Sequence, residues 1–364
     1  MVSFRLSDEQ EMMKETVARF AREEMRPVAR EADETGSVAP ALVEAGWRLA
    51  LVQSHIPEEY GGFGTARSVV TGAVIAEELA WGGLSLALHL LAPRLVALPL
   101  LEAGTAPQKE ALLPRFCGAR FYPATAGVME PRFGFDLFEM ETGASRHERG
   151  YVLSGVKCFV PLARQAELFV IYATVDGVAG AFLVERGSAG FAVGEREKNM
   201  GGKALETARV RLSECALGPE SRLGGEAGID FGRLTSLSRA ALAAMAVGVA
   251  RAAFEYSRDY AKERRAFGAA IAQKQAIAFM LAEMAIEIDA SRLLAWEAAW
   301  RLDRGEDAVR EAYLAKKYAA DMALTVADNA LQILGGHGYV RDHPVEMWLR
   351  DARGFAAWEG IAMI

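Results

Sequence analysis

The chain has 364 residues, 52% of them apolar and 24% charged, with a net charge of −7. Wholesale disorder is excluded by that composition, the length exceeds what one core usually holds, and the acidic balance speaks against a broad nucleic-acid-binding face. Cys117, Cys158 and Cys215 form no CxxC pair and the five histidines make no HxxxH spacing, so neither a disulfide framework nor a metal site is expected. The first residues, MVSFRLSDEQ, are too polar for a secretory signal. No apolar run reaches the ~20 residues of a membrane-spanning helix. A cytoplasmic protein without a membrane span is the expectation.

Residues 1–120 read as a helical domain. Ser7 with Gln10 has the form of a capping box, and Met13, Val17, Phe20 and Ala21 keep helical spacing behind it. Pro27 should bend or end this helix. HIPEEYGGFG (55–64) reads as a loop, after which helical text resumes through Leu101. Residues 121–228 change period. YVLSGVKCFV, AELFVIYATV, GAFLVER and TARVRLSE are short and rich in β-branched and aromatic residues, with turn signals such as Asp176-Gly177 between them. A small β-barrel or sandwich is predicted there. Residues 229–364 return to long helices. Ile277, Leu281, Met284 and Ile288 form one apolar stripe, and the last long helix runs from near Asp307 to a stop at Gly335-Gly336. The fold class is therefore mostly α with a middle β domain, closed by a C-terminal four-helix bundle.

No glycine-rich segment follows a strand and opens a helix, so a Rossmann or P-loop fingerprint is excluded, and there is no GxSxG elbow. One acid is conspicuous. The last residues, GFAAWEGIAMI, carry a single carboxylate, Glu359, between Trp358 and Gly360. It is either a solvated acid near a terminus or a base held in a dry pocket, where desolvation brings its proton affinity towards working pH.

With the helical, β, helical order, the stretches ERRAFGAAIAQKQAIAFMLAEM (263–284) and QILGGHGYVRDHPVEMWLRD (332–351) and the terminal WEG resemble the acyl-CoA dehydrogenase family over nearly the whole chain. The resemblance implies an FAD-dependent α,β-dehydrogenation of an acyl-CoA thioester, with electrons passed to an electron-transfer flavoprotein, in a homotetramer or homodimer. Glu359 stands at the catalytic base. Arg264 matches an arginine on the FAD pyrophosphate of a neighbouring subunit, as suits a guanidinium that forks onto phosphate. Phe267 and Gln275 match positions lining the same cofactor. Gln332, Gly335 and Gly336 match the segment near its adenosine half, and the two glycines also read as a plain helix cap. Val128, Met129 and Phe159 stand at the flavin. Arg239 matches a residue near the CoA portion and equally fits a solvated face, and Trp358 and Gly360 flank the base on the substrate side.

Several positions depart from the family pattern. Met129 replaces a threonine that bonds the flavin ring, Phe135 a serine, and Pro161 a serine or threonine beside the reactive flavin nitrogen. Ile361-Ala362-Met363 replace Thr-Ser-Gln, Ser236 replaces an acid, and Ala266 a hydroxyl residue. Each lost hydroxyl removes a hydrogen bond of net ~0.5–1.5 kcal/mol. They motivate an alternative: a catalytically altered paralogue, serving as partner subunit of a hetero-oligomer or acting on another acyl carrier.

Overall fold

The computed structural model describes residues 5–364. The capping box is formed: Ser7 and Gln10 exchange side-chain and backbone bonds at the start of α1 (Asp8–Phe20). The chain does not stop at Pro27. It passes through a π turn (Ala21–Met25) and a 3-10 turn (Arg26–Val28) into α2 (Ala29–Thr35), because Pro27 falls early in the 3-10 turn, where its missing N–H is not needed. Then come α3 (Pro40–Trp47), α4 (Val69–Gly82), α5 (Leu84–Leu91), α6 (Arg94–Ala103) and α7 (Ala106–Leu112).

Seven strands build the middle domain: β1 (Ala124–Gly127), β2 (Gly143–His147), β3 (Gly150–Pro161), β4 (Leu168–Val175), β5 (Val178–Glu185), β6 (Phe191–Arg196) and β7 (Thr207–Leu217). Their order is β1-β4-β2-β3-β7-β6, with β5 paired to β4. β4 lies parallel to β1 and β2, and the other pairs are antiparallel. The sheet is an open half-barrel with its own core, in which Phe169, Phe182 and Val210 are fully buried.

The last region holds α8 (Phe231–Glu263), a two-strand hairpin of β8 (Arg265–Ala266) and β9 (Ala269–Ala270), α9 (Gln275–Asp303), α10 (Val309–Leu334), the short α11 (Gly336–Tyr339) and α12 (Val345–Gly354). Asp230 caps α8 by accepting from the Arg233 N–H at 2.8 Å. The alanine and glycine content of α8 lets its neighbours come close. A Cβ on Gly248 would lie 2.2 Å from the Glu77 carbonyl of α4, so only glycine fits that crossing. By length and composition α8 is apolar enough to cross a membrane, although Arg239 interrupts it. It is apolar because it is the central, mostly buried helix of the bundle.

Candidate active site

The chain leaves α12 in a turn in which the Trp358 N–H donates to the Gly354 carbonyl at 3.0 Å. The Trp358 indole fills the space over Gly202 and Gly354, so it anchors the turn from outside the cleft. Glu359 is thereby aimed back at the bundle. Its carboxylate lies 3.3 Å from the Arg239 Nε of α8 and 3.3 Å from the Lys316 Nζ of α10. The side chain is 18% exposed and both cations are buried. Of the two environments the local sequence allowed, neither a solvated acid nor an acid among apolar groups alone describes it: the carboxylate is mostly buried and ion-paired on both oxygens. Arg239 sits on the acid itself, with its guanidinium also 5.1 Å from the Tyr313 ring. Gly360 adopts φ +68°, and a Cβ there would strike the Val128 side chain at 2.1 Å.

The opposite wall comes from the middle domain. The Glu359 N–H points at Met129 and donates to its Sδ at 3.3 Å. Met129 is held from below by a buried pair. Lys157, fully buried, donates to the Val128 carbonyl at 3.0 Å and to Glu130 Oε1 at 2.9 Å. Burial pushes the Lys157 ammonium down to about 8. Burial alone would push Glu130 up, but Lys157 and the N–H groups of Glu141 and Thr142 hold it at about 2. Phe159 lies in a bulge of β3 at φ +51°, a left-handed conformation that a bulky residue rarely adopts, with its N–H on Glu197 at 3.0 Å.

Between these walls is a cavity of about 20 Å³ bounded by Glu359, Gly360, Val128, Tyr172, Ser238 and Met363, among others. The last four residues are buried, and the Ile364 carbonyl accepts from Arg67 at 3.0 Å. A larger groove of about 850 Å³ lies elsewhere, against Trp296 and Trp300 of α9, and does not contain Glu359.

The remaining candidates form a second cluster. Arg264 caps α8, Phe267 is 95% exposed at φ +50° in the hairpin, and Gln275 opens α9. Gln332 is on the last turn of α10, and the backbone at Gly335 and Gly336 faces open space. Arg239 and Arg264 are on one continuous helix, 25 residues apart in sequence. They are thus separated by roughly 37 Å along its axis at 1.5 Å per residue. Within one chain the exposed cluster and Glu359 do not meet.

The sequence reading missed Lys316, Lys157, Tyr172 and Ser238. Lys316 gives no local sign of its role, since it sits beside Lys317 in a helix whose outer face is charged. Among the described residues no group of three potential metal-ligating side chains occurs.

Three family models match in succession: the N-terminal, middle and C-terminal domains of acyl-CoA dehydrogenase, over residues 7–120, 125–215 and 232–364. The chain is 35% identical to the cyclohex-1-ene-1-carbonyl-CoA dehydrogenase of Geobacter metallireducens over 96% of its length and 93% of that protein's. Butyryl-CoA dehydrogenase from Megasphaera elsdenii superposes with a TM-score of 0.89 at 30% identity, covering 98% and 96% of the two chains. A chain in a structure described for the electron transferring flavoprotein of Acidaminococcus fermentans also superposes at 0.89, with 31% identity and coverage of 98% and 95%. From the domain order, the relatives and a terminal glutamate whose N–H meets the middle domain, the chain belongs to the acyl-CoA dehydrogenase family of FAD-dependent oxidoreductases.

Proposed function

We propose that the protein oxidises an acyl thioester to the trans-2-enoyl thioester, with Glu359 as the base that takes the α-proton. The observation that carries this reading is the placement of Glu359: it lines one cavity with Val128, and its own N–H faces Met129. Arg239 and Lys316 fix the carboxylate, so its direction is set before substrate arrives. The N–H beside it is a donor suited to a thioester carbonyl, where charge builds as the proton leaves.

The residues present fit FAD at two ends. Gly335 and Gly336 leave their backbone open to close approach, beside exposed Arg264 and Gln275 that suit a pyrophosphate. At the inner end the fit depends on the Met129 side chain, whose rotatable bonds let it turn aside. When bound, FAD supplies the hydride acceptor. This chain's residues position the acid, hold the carbonyl and exclude water.

Because Arg264 stands far from Glu359 on the same helix, the cofactor site requires a second subunit to complete it. Phe279, Ile286, Leu293 and Trp300 are exposed at seven-residue intervals on α9, an apolar stripe that fits a helix of another copy. A homo-oligomer with an electron-transfer flavoprotein as electron acceptor is the arrangement we favour. The Met129 contact favours a second reading, a subunit whose own cleft is silent within a hetero-oligomer.

The test is an absorbance spectrum of the purified protein, followed by anaerobic addition of acyl-CoA thioesters. A flavin band that bleaches supports the first reading. A lone chain that stays colourless with added FAD, and gains flavin only when co-expressed with a related chain, supports the second.

A further inference from the structure

Two side chains lining the Glu359 cavity carry hydroxyl groups that bond to nothing. Tyr172 is 4% exposed and Ser238 is 3% exposed, and neither oxygen has a partner. Buried polar atoms are nearly always satisfied, so an unpaired pair at one cavity needs an explanation. Neighbouring residues sharpen the contrast. Thr235 also lines the cavity, yet its hydroxyl bonds back to the Phe231 and Gly232 carbonyls, and Ser236 bonds to Gly232 at 2.7 Å. Ser238, on the same helix, does not take that ordinary route. Tyr172 is fixed on β4, with its ring 5.6 Å from that of Phe231. The cavity, at about 20 Å³, has room for one water-sized group and no alkyl chain.

We infer that Tyr172 and Ser238 form a polar specificity site at the end of the Glu359 cleft, which takes a short acyl thioester whose acyl group carries a hydroxyl or oxo oxygen. This rests on the thioester reading above. Tyr172 and Ser238 each offer one donor and accept in turn, so a ligand oxygen in the cavity they share would find donors from the β domain and the bundle. The reacting carbons would take the space that the Met129 thioether holds. An unsubstituted alkyl acyl group would leave both hydroxyls buried and unpaired, which is how such a site rejects the analogue lacking the oxygen.

The test uses unreactive pantetheine thioethers, whose arm is common to CoA and to acyl carrier proteins. Binding of S-butylpantetheine is compared by calorimetry with that of the 3-hydroxybutyl and 4-hydroxybutyl forms, on the flavin-loaded protein. The expected result is that at least one hydroxylated form binds about tenfold or more tightly than S-butylpantetheine. The combined variant Tyr172→Phe, Ser238→Ala should lose that preference while keeping its melting temperature and flavin content. Equal binding of all three, no binding of any, or an unchanged preference in the variant would overturn the inference. Flavin bleaching by the matching thioesters is scored separately. Selective binding without bleaching would count against the dehydrogenase reading and leave the polar site standing.

Discussion

The backbone N–H of Glu359 donates to the thioether of Met129, 230 residues away in sequence, at 3.3 Å. The donor that would polarise a thioester carbonyl is thus already occupied by a weak acceptor from the facing domain. Sulfur is a poor acceptor, so the contact is easily exchanged for a carbonyl oxygen.

Shortening this residue should release the donor. Met129→Thr is expected to raise kcat/KM for thioester oxidation by about tenfold, the equivalent of ~1.4 kcal/mol of barrier. Steady-state kinetics with an artificial electron acceptor measures it. Unchanged kcat/KM would show that the methionine turns aside at no cost.

Lys157 holds the wall on which Met129 sits. Lys157→Met should destabilise the fold by about 3 kcal/mol, because Glu130 remains buried with its nearer cation gone and only Arg132, at 3.4 Å, left beside it. Denaturant unfolding measures this cost. Glu130→Gln with Lys157→Met, which removes both charges, should recover a large part of it. A single variant as stable as the wild type would mean that Glu130 is satisfied by Arg132 and the Glu141 and Thr142 N–H groups.

Asp351 is fully buried, and burial pushes its carboxyl up from 3.8 to about 7, opposed by the Gly202 N–H at 2.7 Å. A raised acid holds its proton in the folded state where the unfolded chain has lost it. Its contribution to stability is fully present below pH 3.8 and is lost as pH rises through about 7. Asp351→Asn keeps an acceptor for Gly202 without the charge. It should be near neutral below pH 4 and stabilising by about 1–3 kcal/mol at pH 8. Thermal melts of both proteins across that range test the sign.

Ile286 stands in the exposed stripe of α9. If that stripe seats a second copy, Ile286→Arg should shift the protein to monomer in light scattering, with little change in secondary structure by circular dichroism. If Arg264 completes the cofactor site across the subunit boundary, the flavin-to-protein absorbance ratio should fall in step with the loss of oligomer. Full flavin content in a monomeric variant would reject that assignment.

Local chemistry made much of the fold legible. Ser7 and Gln10 announce the first helix because a capping box is a contract between residues three apart. The β domain is announced by short β-branched and aromatic segments between turn signals, and α10 ends at Gly335, where φ is +59°. The central place of α8 was harder to see, since Arg239 interrupts an otherwise apolar stretch, and burial within the bundle is a property of its neighbours.

Glu359 stood out because a lone carboxylate among apolar residues is chemically conspicuous within eleven residues of sequence. Its partners did not stand out. Arg239, Lys316 and Met129 come from α8, α10 and the middle domain, and only the packing of three regions brings them to one acid. The unpaired hydroxyls of Tyr172 and Ser238 were hidden for the same reason, because sequence records which groups can bond and not which go unsatisfied. Periodicity, caps and composition act over a few residues and so were fixed by the chain itself. Charge pairing and cavity chemistry act through space, and tertiary structure alone decided them.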